Sequence, residues 1–287
     1  MGRRAAVPRR PRGGPALARR PRRPALRRAL KPPMGKHGSL LIACLALSLP
    51  TPAVASSCTA NSGPTLTPLI ELYTSEGCSS CPPADRWLAG LPPGRAVPLA
   101  LHVDYWDYIG WRDRYADARF AARQREVVRR GGGRVVYTPQ VLLDGRDFRG
   151  WRDDTAFGQA LARIAAKPAQ ARIVLNAARK QADVWSIRLE GQAAPRKGRA
   201  AAYLAIYENG LASDVRSGEN AGARLLHGYV VRDWSGPIAA DADGRMALSR
   251  DLARKDIEFS NAGMAAFIED PDTGEILQAL TLPFCRN

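Results

Sequence analysis

The chain has 287 residues and a formal net charge of +16, from 43 Lys and Arg against 27 Asp and Glu. Thirteen of the basic residues fall in residues 1–55, which hold no acidic residue, leaving 30 basic against 27 acidic in the remainder. A body so close to neutral excludes a charge-based argument for a polyanionic partner such as nucleic acid.

Residues 1–33 are Arg, Pro, Ala and Gly without apolar periodicity. They read as a disordered extension that lies upstream of the true start. From Met34 to Ala55 the chain reads as a signal peptide, with basic Lys36, an apolar stretch from Leu40 to Leu49 and the small-residue cleavage sequence Ala53-Val54-Ala55. The apolar stretch is too short to span a bilayer. A twin-arginine signal at Arg27-Arg28 and a lipobox at Leu41-Ile42-Ala43-Cys44 are weaker readings. Export places the protein in the periplasm or outside the cell. Cleavage would remove Cys44 and leave Cys58, Cys78, Cys81 and Cys285, an even count that suits an oxidising compartment. Of three pairings, Cys78 with Cys81 and Cys58 with Cys285 is favoured, because chain termini often lie close together. The competing reading leaves Cys58 free or lipidated near a frayed end.

Leu66 to Thr74 predicts a strand running into Cys78-Ser79-Ser80-Cys81. A helix follows with Trp87, Leu88 and Leu91 on one face, stopped by Pro92-Pro93-Gly94. Pro82 and Pro83 suit its first turn, where the backbone N–H has no intrahelical acceptor. Val97 to Val103 reads as a strand buried on both faces. After an aromatic segment come a helix from about 116 to 130 and an extended stretch, Val135 to Leu143, interrupted at Thr138-Pro139. A third helix is capped by Asp153 or Asp154 and closed by Pro168. This alternation predicts an α/β domain over 62–168. Beyond it, Trp185, Ile187 and Leu189 alternate, and the turn Asp270-Pro271-Asp272-Thr273-Gly274 separates two strand-like runs. These features predict a small β-sandwich over 171–285.

Two cysteines in a Cys-x-x-Cys spacing at a strand-to-helix junction form the thioredoxin arrangement. Cys78, exposed at the helix start, is expected to attack, and Cys81 to resolve the mixed disulfide. Thr138-Pro139, with a cis proline, is expected to position a partner chain. Glu71 is a candidate proton acceptor for Cys81, though a structural ion pair is favoured for it. Tyr105, Trp106 and Trp111 are candidate substrate-binding aromatics, set against a core cluster sealing the sheet. His227 reads as structural or exposed. Gly218-Glu219-Asn220-Ala221-Gly222 lacks the setting of a phosphate loop. The Arg-rich stretch 123–134 reads as a solvated helix face.

Glu71-Leu72-Tyr73-Thr74-Ser75-Glu76-Gly77-Cys78-Ser79-Ser80-Cys81-Pro82-Pro83-Ala84-Asp85, with His102-Val103-Asp104-Tyr105-Trp106-Asp107-Tyr108 and Tyr137-Thr138-Pro139-Gln140, resembles a bacterial family of secreted, thioredoxin-like proteins of unknown function. Gly218 to Gly222 and Val230-Val231-Arg232 look like that family's second half. The resemblance implies export and a thioredoxin-like fold, without an activity. The expected molecule is thus a thioredoxin-like domain followed by a small β-sandwich. Its expected function is exported thiol–disulfide oxidoreductase, acting on protein or peptide thiols with a redox partner protein. No cofactor, resident metal, nucleic acid or stable membrane span is expected. The rivals are a copper or zinc binder using Cys78, Cys81 and His102, and an interaction module with an inert Cys78–Cys81 disulfide.

Overall fold

The computed structural model describes residues 56–193 and 199–285; the expected extension and signal peptide lie outside them. The first half runs β1 (Ser57–Asn61), β2 (Leu69–Thr74), α1 (Pro82–Ala89), β3 (Val97–His102), α2 (Ala118–Arg130), β4 (Gln140–Leu143), β5 (Arg146–Asp147) and α3 (Asp154–Ala165). Strands follow: β6 (Ala171–Gln181), β7 (Val184–Ala193), β8 (Ala201–Glu208), β9 (Leu211–Asp214), β10 (Arg224–His227), β11 (Val230–Ala239), β12 (Arg245–Ala253), β13 (Ala262–Glu269) and β14 (Ile276–Pro283).

Local chemistry explains the elements around the site. β2 and β3 are buried at every position and pair in parallel, with α1 as the crossover between them. α1 begins at Cys81 and places prolines in its first turn. The carboxylates of Asp117 and Asp153 cap α2 and α3 by accepting from backbone N–H groups two and three residues on. Asp144 and Gly145, both at positive φ, close the β4–β5 hairpin.

The expected fold class, a thioredoxin-like α/β domain followed by a separate sandwich, is corrected. The described residues are mostly β, with three α-helices and fourteen strands. One mixed eight-stranded sheet has the order β14-β13-β8-β11-β3-β2-β4-β5, so strands from both halves of the chain share it. A separate antiparallel sheet, β1-β6-β7-β12, includes the strand that precedes β2. Local alternation identified strands and helices but not which strands pair across 100 or more residues. That is where the expectation failed.

The large sheet divides two cores. On β8, Ala202, Leu204 and Ile206 face the core shared with β6, β7 and β13, including Leu175, Ile187 and Met264. The alternate residues Tyr203, Ala205 and Tyr207 belong to the core under the helices, with Leu72, Leu99 and Phe267. Period-two alternation therefore buries both faces of the strand. α2 also turns Arg123 and Gln124 inward, correcting the expectation of a solvated Arg-rich face. Arg123 bonds Glu71 at 2.6 Å and Glu269 at 3.0 Å, and its guanidinium lies over the Tyr203 and Phe267 rings. Glu71 thus belongs to a buried ion pair.

Candidate functional site

β2 delivers the chain to the sheet edge at Thr74, and residues 75–81 turn into α1. The turn is fixed by its own backbone: the Gly77 amide donates to the Ser75 hydroxyl, the Cys78 amide to the Ser75 carbonyl, and the Cys81 amide to the Cys78 carbonyl. Cys78 and Cys81 form a disulfide. Ser79 and Ser80 between them are exposed, but both cysteines are 0 % exposed. This corrects the expectation that Cys78 is exposed. The Ser80 hydroxyl lies 3.3 Å from Cys78 Sγ and donates to the Thr138 carbonyl at 3.4 Å. The Thr138–Pro139 peptide is cis.

A strap between β9 and β10 is clasped onto this turn. Glu219 accepts from the Ser79 amide at 3.0 Å, and Asn220 Nδ2 donates to the carbonyls of Glu76 at 2.8 Å and Cys78 at 3.0 Å. The Ser217 hydroxyl donates to the Gly110 carbonyl. The amide hydrogen bond from Ser79 holds the Glu219 carboxyl below its ordinary pKa. Two glycines allow the close approach. A Cβ on Gly77 would meet Trp106 at 3.1 Å and Ile109 at 3.2 Å. Gly218, at φ +74°, would meet Ile109 and Trp111.

Directly inside the turn lies a buried cluster of ionisable groups. His102, at the end of β3, holds Asp113 through Nδ1 at 2.6 Å. His227, at the end of β10, places Nε2 3.3 Å from Glu76 and Nδ1 3.9 Å from Asp85. The imidazoles meet edge to face at 5.1 Å, with the Tyr115 ring against both. All of these residues are under 9 % exposed. Burial pushes the Asp113 carboxyl up, but the charge and hydrogen bond of His102 and two backbone amides outweigh it, holding the group low. Glu76 is likewise held low: burial raises it, but the nearby His227 ring and the hydrogen bond from Trp111 outweigh that. Asp85 is raised, because burial exceeds the attraction of His102 and His227. His102 is raised: burial lowers it, but the neighbouring carboxylates prevail.

Of the candidate aromatics, Trp106 reaches the disulfide's surroundings, donating from Nε1 to Thr138 Oγ1 at 2.7 Å. Trp111 donates to Glu76 in the buried cluster, and the Tyr105 hydroxyl donates to Gln124 on α2. Cys58 and Cys285 form a second disulfide that joins β1 to the end of β14. Sequence reasoning missed Glu76, Asp85, Asp113, Glu219, Asn220 and the buried role of His227. The Gly218 to Gly222 motif was the available signal for the strap. Among the described residues, no group of three His, Cys, Asp or Glu is arranged to hold a metal ion.

The sequence profile of a family described as "Protein of unknown function (DUF1223)" matches residues 69–269. Among solved structures, protein AGR_C_4864 from Agrobacterium tumefaciens aligns with a TM-score of 0.57 and 24 % identity, covering 79 % of this chain and 98 % of that one. HBP35 of Porphyromonas gingivalis aligns with a TM-score of 0.56 and 13 % identity, covering 77 % and 76 %. These likenesses show a shared fold. No curated protein matches.

Proposed function

We propose, for a chain that belongs to the DUF1223 family of proteins of unknown function, that Cys78 and Cys81 carry out thiol–disulfide exchange with protein or peptide thiols in an oxidising compartment. The observation that carries this reading is the setting of the disulfide. It closes the turn ahead of α1, beside the cis Thr138–Pro139 peptide, and the strap holds that turn only through polar contacts: Glu219 accepts from the Ser79 amide, and Asn220 donates to the Glu76 and Cys78 carbonyls. Cys78 is the sulfur attacked, Cys81 the resolving sulfur, and Thr138 with Pro139 borders the approach. A second redox protein would reset the pair, and Trp106 would contact the incoming chain. The two disulfides favour an exported location, periplasmic or secreted. No helix among the described residues is long and apolar enough to cross a membrane.

The rival is an inert staple, favoured by the complete burial of both sulfurs. The two readings separate on reactivity. The chain from Ser56 onward is treated with a cysteine-containing peptide at pH 7, and mixed disulfide is followed by mass spectrometry. Exchange should occur and vanish in Cys78→Ser. Asn220→Ala removes two hydrogen bonds worth about 1 kcal/mol together and should speed exchange about fivefold. No exchange in either the parent or Asn220→Ala, with a reduction potential below about −300 mV, would establish the staple. The copper or zinc reading finds no support in the geometry, because the cysteines are joined and His102 Nδ1 is engaged by Asp113.

A further inference from the structure

Several polar atoms of the buried cluster have no well-formed hydrogen-bond partner among the described residues: Glu76 Oε1, Asp85 Oδ1, His102 Nε2, the Tyr115 hydroxyl and both ring nitrogens of His227. Leaving such groups unsatisfied in an interior is costly, so a concentration of them marks a site with a task beyond packing. Their placement indicates the task. The Asp85 amide donates to the Cys81 carbonyl, and Cys81 has helical backbone angles. Side chains four apart on a helix share a face, with Cβ atoms about 5–6 Å apart. Cys81 and Asp85 are both buried on that face of α1.

We propose that Asp85 is the proton-exchange partner of Cys81, and that His227 and Glu76 position it. The inference rests on the thiol–disulfide reading and names the group that serves the resolving sulfur. A thiolate of a dithiol polypeptide attacks Cys78 Sγ; a new S–S bond forms, and the Cys78–Cys81 bond breaks. Cys81 leaves with the electron pair and takes the proton of the Asp85 carboxyl, leaving a carboxylate. The substrate's second thiolate then displaces Cys78, which departs as thiolate, and the substrate leaves oxidised. In the reverse direction Cys81 returns its proton to Asp85 as it attacks.

The groups facing Asp85 suit the exchange. His227 comes from β10, His102 from β3, Thr74 from the end of β2 and Asp113 from a flanking loop, with Glu76 on the other nitrogen of the His227 ring. Tyr115 lies against both imidazoles, and the guanidiniums of Arg114 and Arg232 lie over its ring at 4.8 and 5.4 Å. Burial raises the Asp85 carboxyl, which favours the proton-carrying form in the oxidised protein. The two imidazoles then stabilise the carboxylate left after transfer.

The test is infrared difference spectroscopy of the chain from Ser56 onward, oxidised and then reduced electrochemically, so the readout does not depend on a protein thiol reaching the sulfurs. The parent should lose a protonated-carboxyl band on reduction, and Asp85→Asn should lack that change. The potential of the pair, followed against pH, should lose one inflection in Asp85→Asn. His227→Gln should keep the band and move the inflection. A parent spectrum without a carboxyl change overturns the inference even if Asp85→Asn does not fold, as does an unchanged pH profile in Asp85→Asn. Either result leaves exchange at Cys78 standing, whereas absence of peptide exchange in both the parent and Asn220→Ala, with a low reduction potential, overturns the functional reading.

Discussion

Asp144 shows how one side chain can set the pH dependence of this fold. It occupies a left-handed conformation, φ 49°, in the β4–β5 turn, and its carboxylate accepts from the Leu69 amide at 3.0 Å. Burial pushes its pKa from 3.8 to about 6 against that single bond and the distant charge of Lys167. A carboxyl raised in the folded state stabilises the fold when protonated, below about pH 4, and its contribution is lost as pH rises to about 6. The loss is on the order of 3 kcal/mol. Asp144→Asn keeps the turn, since Asn tolerates the left-handed region, and removes the charge. Urea unfolding at pH 4 and pH 8 should show the parent losing that stability relative to Asp144→Asn; parallel losses in the two proteins would refute the assignment. At this scale the cysteine pair was legible because its geometry is local, three residues along one turn. Asn220 was not, since it reaches Cys78 across 142 residues. His102 read as a candidate metal ligand and His227 as structural or exposed; that the two rings meet in one buried cluster emerges only when β3 and β10 bring them together.

Among the elements, α2 joins the two halves of the large sheet through charge. Arg123 holds Glu71 on β2 and Glu269 on β13, and Arg130 holds Glu269 again at 2.9 Å. Both carboxylates are 1 % exposed, so removing the central guanidinium strands them in the interior. Arg123→Met should therefore cost about 3–5 kcal/mol, and lower the melting temperature by about 10 °C for a chain of this size. Arg129→Ala, whose pairing with Glu126 is at the surface, should stay within about 1 kcal/mol. Calorimetry of both variants decides the matter: equal, small effects would show that Arg123 does not hold the two strands together. The helix itself was legible from its length and its Gly131-Gly132-Gly133 stop. Its buried face was not, because an arginine-rich stretch looks solvated until the carboxylates that compensate it are known, and these come from strands 52 and 146 residues away.

At the scale of the whole molecule, β11 bridges the halves of the large sheet. It pairs antiparallel with β8 and touches β3 in parallel at Val230 and Ala100. Neither pairing leaves a trace in local periodicity, so the alternation of strand and helix suggested a self-contained first domain where the sheet in fact continues. The second link is covalent. Cys58 and Cys285 are separated by 227 residues, and the bond ties edge strand β1 to the chain's end at the core containing Trp185 and Phe284. Closing so long a loop restricts the unfolded chain by on the order of 5 kcal/mol on a chain-entropy estimate, and loss of native disulfides commonly costs about 2–5 kcal/mol. The double variant Cys58→Ser, Cys285→Ser should lower the urea midpoint accordingly. Peptide exchange at Cys78 should proceed at the parent rate under native conditions, because Cys58 and Cys285 pack against the core that holds Trp185 and Phe284, whereas α1 packs on the other core through Ala84 and Leu88. Lost exchange in a double variant that is still folded would mean that the terminal staple governs the strap over Cys78. The two disulfides would then form one coupled system, in place of a structural bond and a reactive one.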